Sequence, residues 1–413
     1  MLALATATSF EVSLLALGGL LMVGALASGL AHRSLLSLAA LFVLAGFLLG
    51  EGTGGVLHFD AHEEFVRDVA TAALIVILFR DGLEVDEEAL AHWHLPLRNI
   101  ALAMPLTAVI AAAGARALLG LPWTECLLLA ALLAPTDPVL SSGVVTDRRV
   151  PGLIRHSLNL ESGLNDGLAL PLVLVFAAQL IPGAGHVDWW RFLLEDVGIG
   201  LAAGLLVGFA ASLIMPRHER SLQDGIPGHQ KALYALGAAF VAYGIAVLPP
   251  HGNGLIAVYV AAITLGIRRP DLRAYFEGQS ENIVEVVKLG IFVVFGSLLT
   301  VHNLLADGWA AVAFAAVVLV IARPVAVFAA LTRTDTDPPT RLFMGWFGPK
   351  GVSSIAFAVF VLGEQISAAE RIFNLVAVTV VCSIVLHGAT DTAGAQWIAR
   401  RSERARDPDA GGS

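Results

Sequence analysis

The sequence predicts an all-α polytopic membrane protein of about 13 transmembrane helices, arranged as two inverted six-helix repeats with broken helices 5 and 12. Three observations predict it. First, 57% of the 413 residues are hydrophobic and only 14% are charged, whereas a soluble domain carries about a quarter charged residues. Second, apolar runs of bilayer length, roughly 20 residues each, follow one another with short connections. Third, two of these runs are interrupted by proline or glycine at mid-membrane depth.

On the bilayer ruler the spans fall at 12–31, 34–50, 66–83, 96–118, 122–146, 153–181, 193–215, 232–249, 253–268, 280–300, 308–331, 342–363 and 368–388. The first has no basic residues ahead of it, so it reads as a retained span rather than a cleaved signal. Residues 1–388 form one transmembrane domain, with repeats at about 12–181 and 232–388 and a linking helix at 193–215. Residues 389–413 read as a short, basic, disordered tail carrying Arg400, Arg401, Arg404 and Arg406. The two cysteines, Cys126 and Cys382, lie in apolar runs and imply neither a disulfide framework nor a metal site.

Lysine and arginine set the orientation. With the N-terminus outside, the odd-numbered connections and the tail hold 18 of the 25 basic residues, and the opposite face holds 4. That asymmetry predicts a cytoplasmic C-terminus in the cell (inner) membrane. The remaining three, Lys288, Arg323 and Lys350, lie inside spans.

A charge at the bilayer centre costs about 2.5–3.5 kcal/mol even on the mild insertion scale, so each one calls for a reason. Three acids (Asp137, Glu161, Asp166) face those three bases. Span 5 reads Ala134-Pro135-Thr136-Asp137-Pro138. Each proline lacks an N–H and frees the carbonyl four residues back, here those of Ala131 and Ala134. Freed carbonyls are tolerated at that depth only when buried in protein or lining a wet cavity. Beside Asp137 and the Thr136 hydroxyl they read as hard oxygen ligands for an alkali cation; a packed kink with Asp137 as a helix cap is the bland alternative.

Span 12 is interrupted at Gly348-Pro349-Lys350-Gly351. Seven spans separate the two breaks, so they run in opposite directions, as an inverted repeat requires. Lys350 is expected to offset the carbonyl ends of the facing half-helices. In span 6, Glu161 and Asn165 are four residues apart and share a face. Ser162 and Asp166 share the neighbouring face. Polar side chains that merely hold helices together would account for Glu161, but an unpaired Asp166 would be costly. Lys288 has Glu285 three residues earlier as its expected partner. The twelve histidines fall mostly in connections and read as solvated.

The segments "APTDPVLSSGV", "ESGLNDGLALPLVL", "ARPVAV" and "GPKGVSSIAFAV" together resemble the NhaP/NHE-type monovalent cation:proton antiporter family over nearly the whole membrane part. The resemblance implies a cation held by Asp137 and Asp166, with help from Ser162 and the Thr136 backbone. It implies that Asn165 marks electroneutral exchange and that Glu161 pairs with Arg323 in a structural role. Pro135, Pro138, Gly348, Pro349 and Lys350 support the broken helices. It also implies a homodimer in which each protomer carries its own site. Two positions depart from the family pattern: Asp81 is shifted by one residue from a common acidic position, and Lys350 stands where Arg is frequent.

The expected activity is secondary active exchange of a monovalent cation, Na+ first with K+ or Li+ as alternatives, for H+ by alternating access. Asp166 is the expected principal carrier and Asp137 the second ligand. A gated cation channel and a metabolite carrier of the same architecture are the alternatives, the latter disfavoured by the central acids. No cofactor beyond the transported cation and no nucleic-acid partner are expected. No intramembrane protease or metalloenzyme motif appears within a span, so the chain does not read as an enzyme.

Overall fold

The computed structural model describes residues 15, 18, 19, 22, 38–50, 55, 59, 64–85, 94–137, 144, 147, 149–182, 189–216, 226–248, 252–364 and 366–406. Among them every regular element is a helix. In chain order these are α1 (Leu38–Leu49), α2 (Glu64–Leu83) and α3 (Leu95–Leu119). Next come α4 (Trp123–Leu132), α5 (Gly152–Ala178), α6 (Trp190–Ile214) and α7 (Gly228–Val247). The second half holds α8 (Gly254–Arg268), α9 (Pro270–Ser297) and α10 (Gly308–Ala330). It ends with α11 (Pro338–Trp346), α12 (Val352–Leu362) and α13 (Ala369–Arg406).

Helices α3, α5, α6, α7, α10 and α13 are long and apolar enough to cross a bilayer, and α1, α4, α8 and α12 are shorter apolar helices. Helices α2 and α9 have the length but carry charges along it, including Arg80 and Asp81 in α2 and Lys288 in α9. All but four residues of the predicted span 12–31, and Pro138, lie outside the described residues.

The apolar character of the lipid solvent shifts the basis of packing from hydrophobic exclusion to close backbone approach. Helices α6 and α8 show how. Gly200, Gly204 and Gly208 recur every four residues along one face of α6. A Cβ there would stand 2.8, 2.5 and 2.7 Å from the carbonyl oxygens of Asn253, Ala257 and Ala261. Glycine is therefore what lets the two backbones meet. The opposite side of α6 exposes Leu201, Leu205, Leu206, Phe209 and Leu213.

The tail departs from expectation. Residues 389–406 are not a disordered extension but the continuation of α13; residues 407–413 lie outside the described residues. The cause is packing. Ala395, Ile398 and Ala399 are buried, the Trp397 ring stacks on Phe343 at 6.3 Å, and Arg401 pairs with Asp337 at 2.8 Å. Asp337 also caps α11 by accepting from the Thr340 N–H at 3.2 Å. The Thr340 bond and then the Arg401 guanidinium hold its carboxyl below the usual carboxylate range.

Candidate cation site

The site is assembled where the two broken segments meet. Helix α4 stops at Leu132 because Pro135 cannot continue it, and α12 begins again only after Gly348, Pro349 and Lys350. The unwound strands then satisfy each other. The Asp137 N–H donates to the Pro349 carbonyl at 2.9 Å, and the Val352 N–H donates to Asp137 Oδ2 at 2.9 Å. The second bond places a carboxylate at the N-terminus of α12, where the helix dipole and exposed N–H groups favour an anion. Reciprocally, Lys350 Nζ donates to the Ala134 and Pro135 carbonyls at 3.1 and 3.0 Å. A cation thus sits at the carbonyl end of α4, where the dipole favours it. Gly351 lies so close that a Cβ would come within 2.5 Å of Asp137 Oδ2.

This geometry corrects one expectation from the sequence. The carbonyls freed by the prolines do not present themselves as open cation ligands. Ala131 O accepts from the Ala134 N–H in a tightened last turn, and Ala134 O is taken by Lys350. The Thr136 carbonyl accepts from the Ser162 hydroxyl at 3.0 Å, and the Thr136 hydroxyl accepts from the Asn165 amide at 2.8 Å. The open oxygens lie one layer away, on α5. Asn165 Oδ1 and Asp166 Oδ1 are buried, and neither has a hydrogen-bond partner. The other oxygen of Asp166 accepts from the Ser353 hydroxyl.

Glu161 stands on the neighbouring face of α5 and has a different environment. Its Oε1 accepts from Arg323 Nη1 at 2.7 Å, and its Oε2 accepts from the Asn99 amide at 3.0 Å. Both ends of the pair are buried. Arg323 fills the space over Gly348, where any Cβ would overlap its guanidinium.

Asp81 belongs to the cluster despite its shifted position in the sequence. It is 5% exposed, pairs with Arg80 at 3.1 Å, and its carboxyl adjoins that of Asp166. By contrast, no ion pair joins Glu285 to Lys288 among the described residues: Glu285 is exposed and Lys288 half-buried in α9.

Sequence reasoning missed several groups. Tyr259, from α8, donates to the Gly163 carbonyl at 2.9 Å and packs its ring against Gly167, beneath Asp166. Its signal was a lone phenol within an otherwise apolar run. Ser353 follows the second break directly and could have been found there. Ser383 and His387, buried in α13, were hidden because nothing in span 13 interrupts the helix. A cavity of about 850 Å³ lined by Arg98, Leu153, Arg333, Asp335 and Thr340 contains none of the site residues. Asp81, Asp137 and Asp166 are themselves buried.

Paired breaks, opposed charges at the half-helix ends and buried acids define the class, an integral membrane protein of the cation:proton antiporter type. Residues 19–394 match the model of the sodium/hydrogen exchanger transmembrane family, and the chain belongs to that family. It is similar to the K(+)/H(+) antiporter NhaP of Alkalimonas amylolytica, with 26% identity over 407 residues covering 97% of this chain and 69% of the relative. It is also similar to the K(+)/H(+) antiporter NhaP2 of Shewanella sp. (strain MR-4), with 28% identity covering 91% of this chain and 65% of that one. The chain therefore spans about two thirds of the length of these curated relatives. Its fold is that of the sodium proton antiporter MjNhaP1 from Methanocaldococcus jannaschii at pH 8. The TM-score is 0.79 at 19% identity, covering 95% of this chain and all of the other.

Proposed function

We propose that this protein exchanges a monovalent cation for H+ by alternating access, with both species competing for Asp166 and, secondarily, Asp137. One observation carries the reading: Asn165 Oδ1 and Asp166 Oδ1 are adjacent in sequence, buried and unpartnered. A buried carboxylate oxygen without a donor is expensive unless a proton or a cation neutralises it. A site that must hold one or the other, and exposes itself to each side in turn, exchanges them obligatorily.

Na+ is the first choice, with K+ and Li+ as alternatives. The relatives' names speak for potassium and the structural neighbour's for sodium. Asn165, in place of a second acid beside Asp166, favours electroneutral exchange. The fold is read as two inverted repeats in a cell membrane, N-terminus outside and C-terminus cytoplasmic, and the protein as a homodimer.

Everted vesicles carrying an acid-interior proton gradient test the reading when each alkali chloride is added in turn. Wild-type protein is expected to dissipate the gradient with at least one cation, at a rate indifferent to imposed membrane potential. Asp166→Asn is expected to insert normally and show no cation-dependent flux. Undiminished exchange by that variant contradicts the assignment, and cation conduction without proton movement points instead to a channel.

A further inference from the structure

The unwound segment 347–351 fixes Asp137 from one side, and α13 holds that segment from the other. Both lips of the break present backbone groups that α11 and α12 do not satisfy: the Trp346 carbonyl at the end of α11, which accepts from the Gly348 N–H at 2.9 Å within the break, and the Lys350 N–H before α12. Each finds a partner on one face of α13. The Lys350 N–H donates to Ser383 Oγ at 2.8 Å. His387 Nε2 lies 3.0 Å from the Trp346 carbonyl, and His387 Nδ1 lies 3.1 Å from Ser383 Oγ and 2.9 Å from the Ser383 carbonyl.

Both ring nitrogens face a carbonyl, Nε2 that of Trp346 and Nδ1 that of Ser383, so the neutral ring donates to only one of them. The tautomer that joins the two lips carries its proton on Nε2, which leaves Nδ1 as an acceptor. The Ser383 hydroxyl, already accepting from Lys350, supplies that hydrogen to Nδ1. The result is a directed chain, Lys350 N–H to Ser383 O–H to His387 Nδ1, with His387 Nε2–H closing on Trp346. Thr390 extends the face by accepting from the Trp346 indole N–H at 3.0 Å, and the Trp346 and His387 rings lie 5.7 Å apart. Positions 383, 387 and 390 follow the helical repeat, so one stripe of α13 spans the break.

We propose that Ser383 and His387 are positioning residues for the cation site, clamping both lips of the 347–351 break and thereby fixing Asp137. The inference rests on the proposed exchange function for its transport readout. The clamped segment supplies the Pro349 carbonyl and Val352 N–H that hold Asp137, and the Lys350 ammonium that caps α4. A histidine that merely fills the core has no reason to act on cation affinity. A clamp does, because moving the lip moves the atoms around Asp137.

Four variants, Ser383→Ala, His387→Leu, His387→Gln and the Ser383→Ala/His387→Leu pair, test it in proteoliposomes. Ser383→Ala and His387→Leu are expected to raise the apparent cation KM by about 10-fold while Vmax stays within about 2-fold, the scale of losing a supporting hydrogen bond around an ion ligand. The double variant is expected to be no worse than either single one, since all break the same chain. His387→Gln, with a donor and an acceptor of similar reach, is expected to stay near wild type. Amide hydrogen exchange at 347–352 gives a readout independent of transport, and Ser383→Ala, a change too small to threaten folding, is expected to accelerate it. Unchanged exchange at 347–352, an unshifted KM, or additive effects in the double variant overturn the proposal. Absence of cation-driven flux in the wild type, with exchange still accelerated in Ser383→Ala, instead overturns the functional reading and leaves the clamp standing.

Discussion

Asp166 and Glu161 are five residues apart on one helix, yet their surroundings give them opposite roles. Glu161 has an arginine and an amide on its two oxygens, so its charge is permanently compensated. Asp166 has the Ser353 hydroxyl on one oxygen and no donated hydrogen bond on the other, with the Asp81 carboxyl beside it. The first arrangement suits a strut between α5 and α10, the second an exchangeable site. Removing one partner of a buried ion pair costs about 3–5 kcal/mol, whereas replacing both with apolar residues is often neutral. Glu161→Ala and Arg323→Ala are each expected to lower the thermal midpoint in detergent, and a Glu161→Leu/Arg323→Met double variant to regain most of the loss. A double variant as unstable as the sum of the singles would remove the strut role. Glu161, Asp166 and Arg323 were legible in the sequence because charge is rare within spans. Asp81 was not legible as a site member, because a one-residue shift cannot be distinguished from displacement until the packing of α2 on α5 is seen. The freed carbonyls read as open ligands because the sequence does not reveal that Lys350 reaches that of Ala134 and that the last turn of α4 takes that of Ala131.

The two breaks are each other's hydrogen-bond partners. Their glycines serve different neighbours: Gly351 makes room for the Asp137 carboxylate, Gly348 for the Arg323 guanidinium. Gly351→Ala is expected to weaken cation affinity with little effect on thermal stability, and Gly348→Ala to lower stability by displacing Arg323. Equal effects of both on both readouts would contradict that division, and affinity by flux assay with melting in detergent measures it. The positions of the breaks were legible because Pro135, Gly348 and Pro349 act locally on the backbone. The support from α13 was not, because a regular helix gives no local sign of what it braces. At its far end α13 is pinned by Arg401 to Asp337. Because the folded-state carboxyl of Asp337 lies below its ordinary range, the stabilisation is present above the ordinary carboxylate pKa and is lost as pH falls through the lowered folded value. Hydrogen exchange at 397–402 is therefore expected to be slow at neutral pH and to quicken in strong acid. Asp337→Asn is expected to show the quicker exchange already at neutral pH; an acid response unchanged by that variant would contradict the link.

Across the whole molecule, close backbone contact substitutes for the hydrophobic effect that a lipid solvent withholds. The glycine stripe of α6 on α8 is the clearest case. Gly204→Leu is expected to reduce the yield of folded protein sharply, measured by monodisperse material after extraction, while a leucine at exposed Ile214 leaves it unchanged. The all-helical membrane class was legible from composition and span length alone, since bilayer thickness dictates both. The course of α13 past residue 388 was not, because a basic, polar helix end held by tertiary contacts resembles a solvated tail in sequence. The buried carboxylates imply that exchange requires a rearrangement exposing Asp166 to one side and then the other. If proton and cation share that group, each must exclude the other. The most direct test is the apparent cation KM of purified protein in proteoliposomes, measured across a range of pH. The account predicts that KM rises as pH falls while Vmax at saturating cation holds steady. A KM independent of pH, with acid acting on Vmax alone, would place proton and cation on separate sites and contradict it.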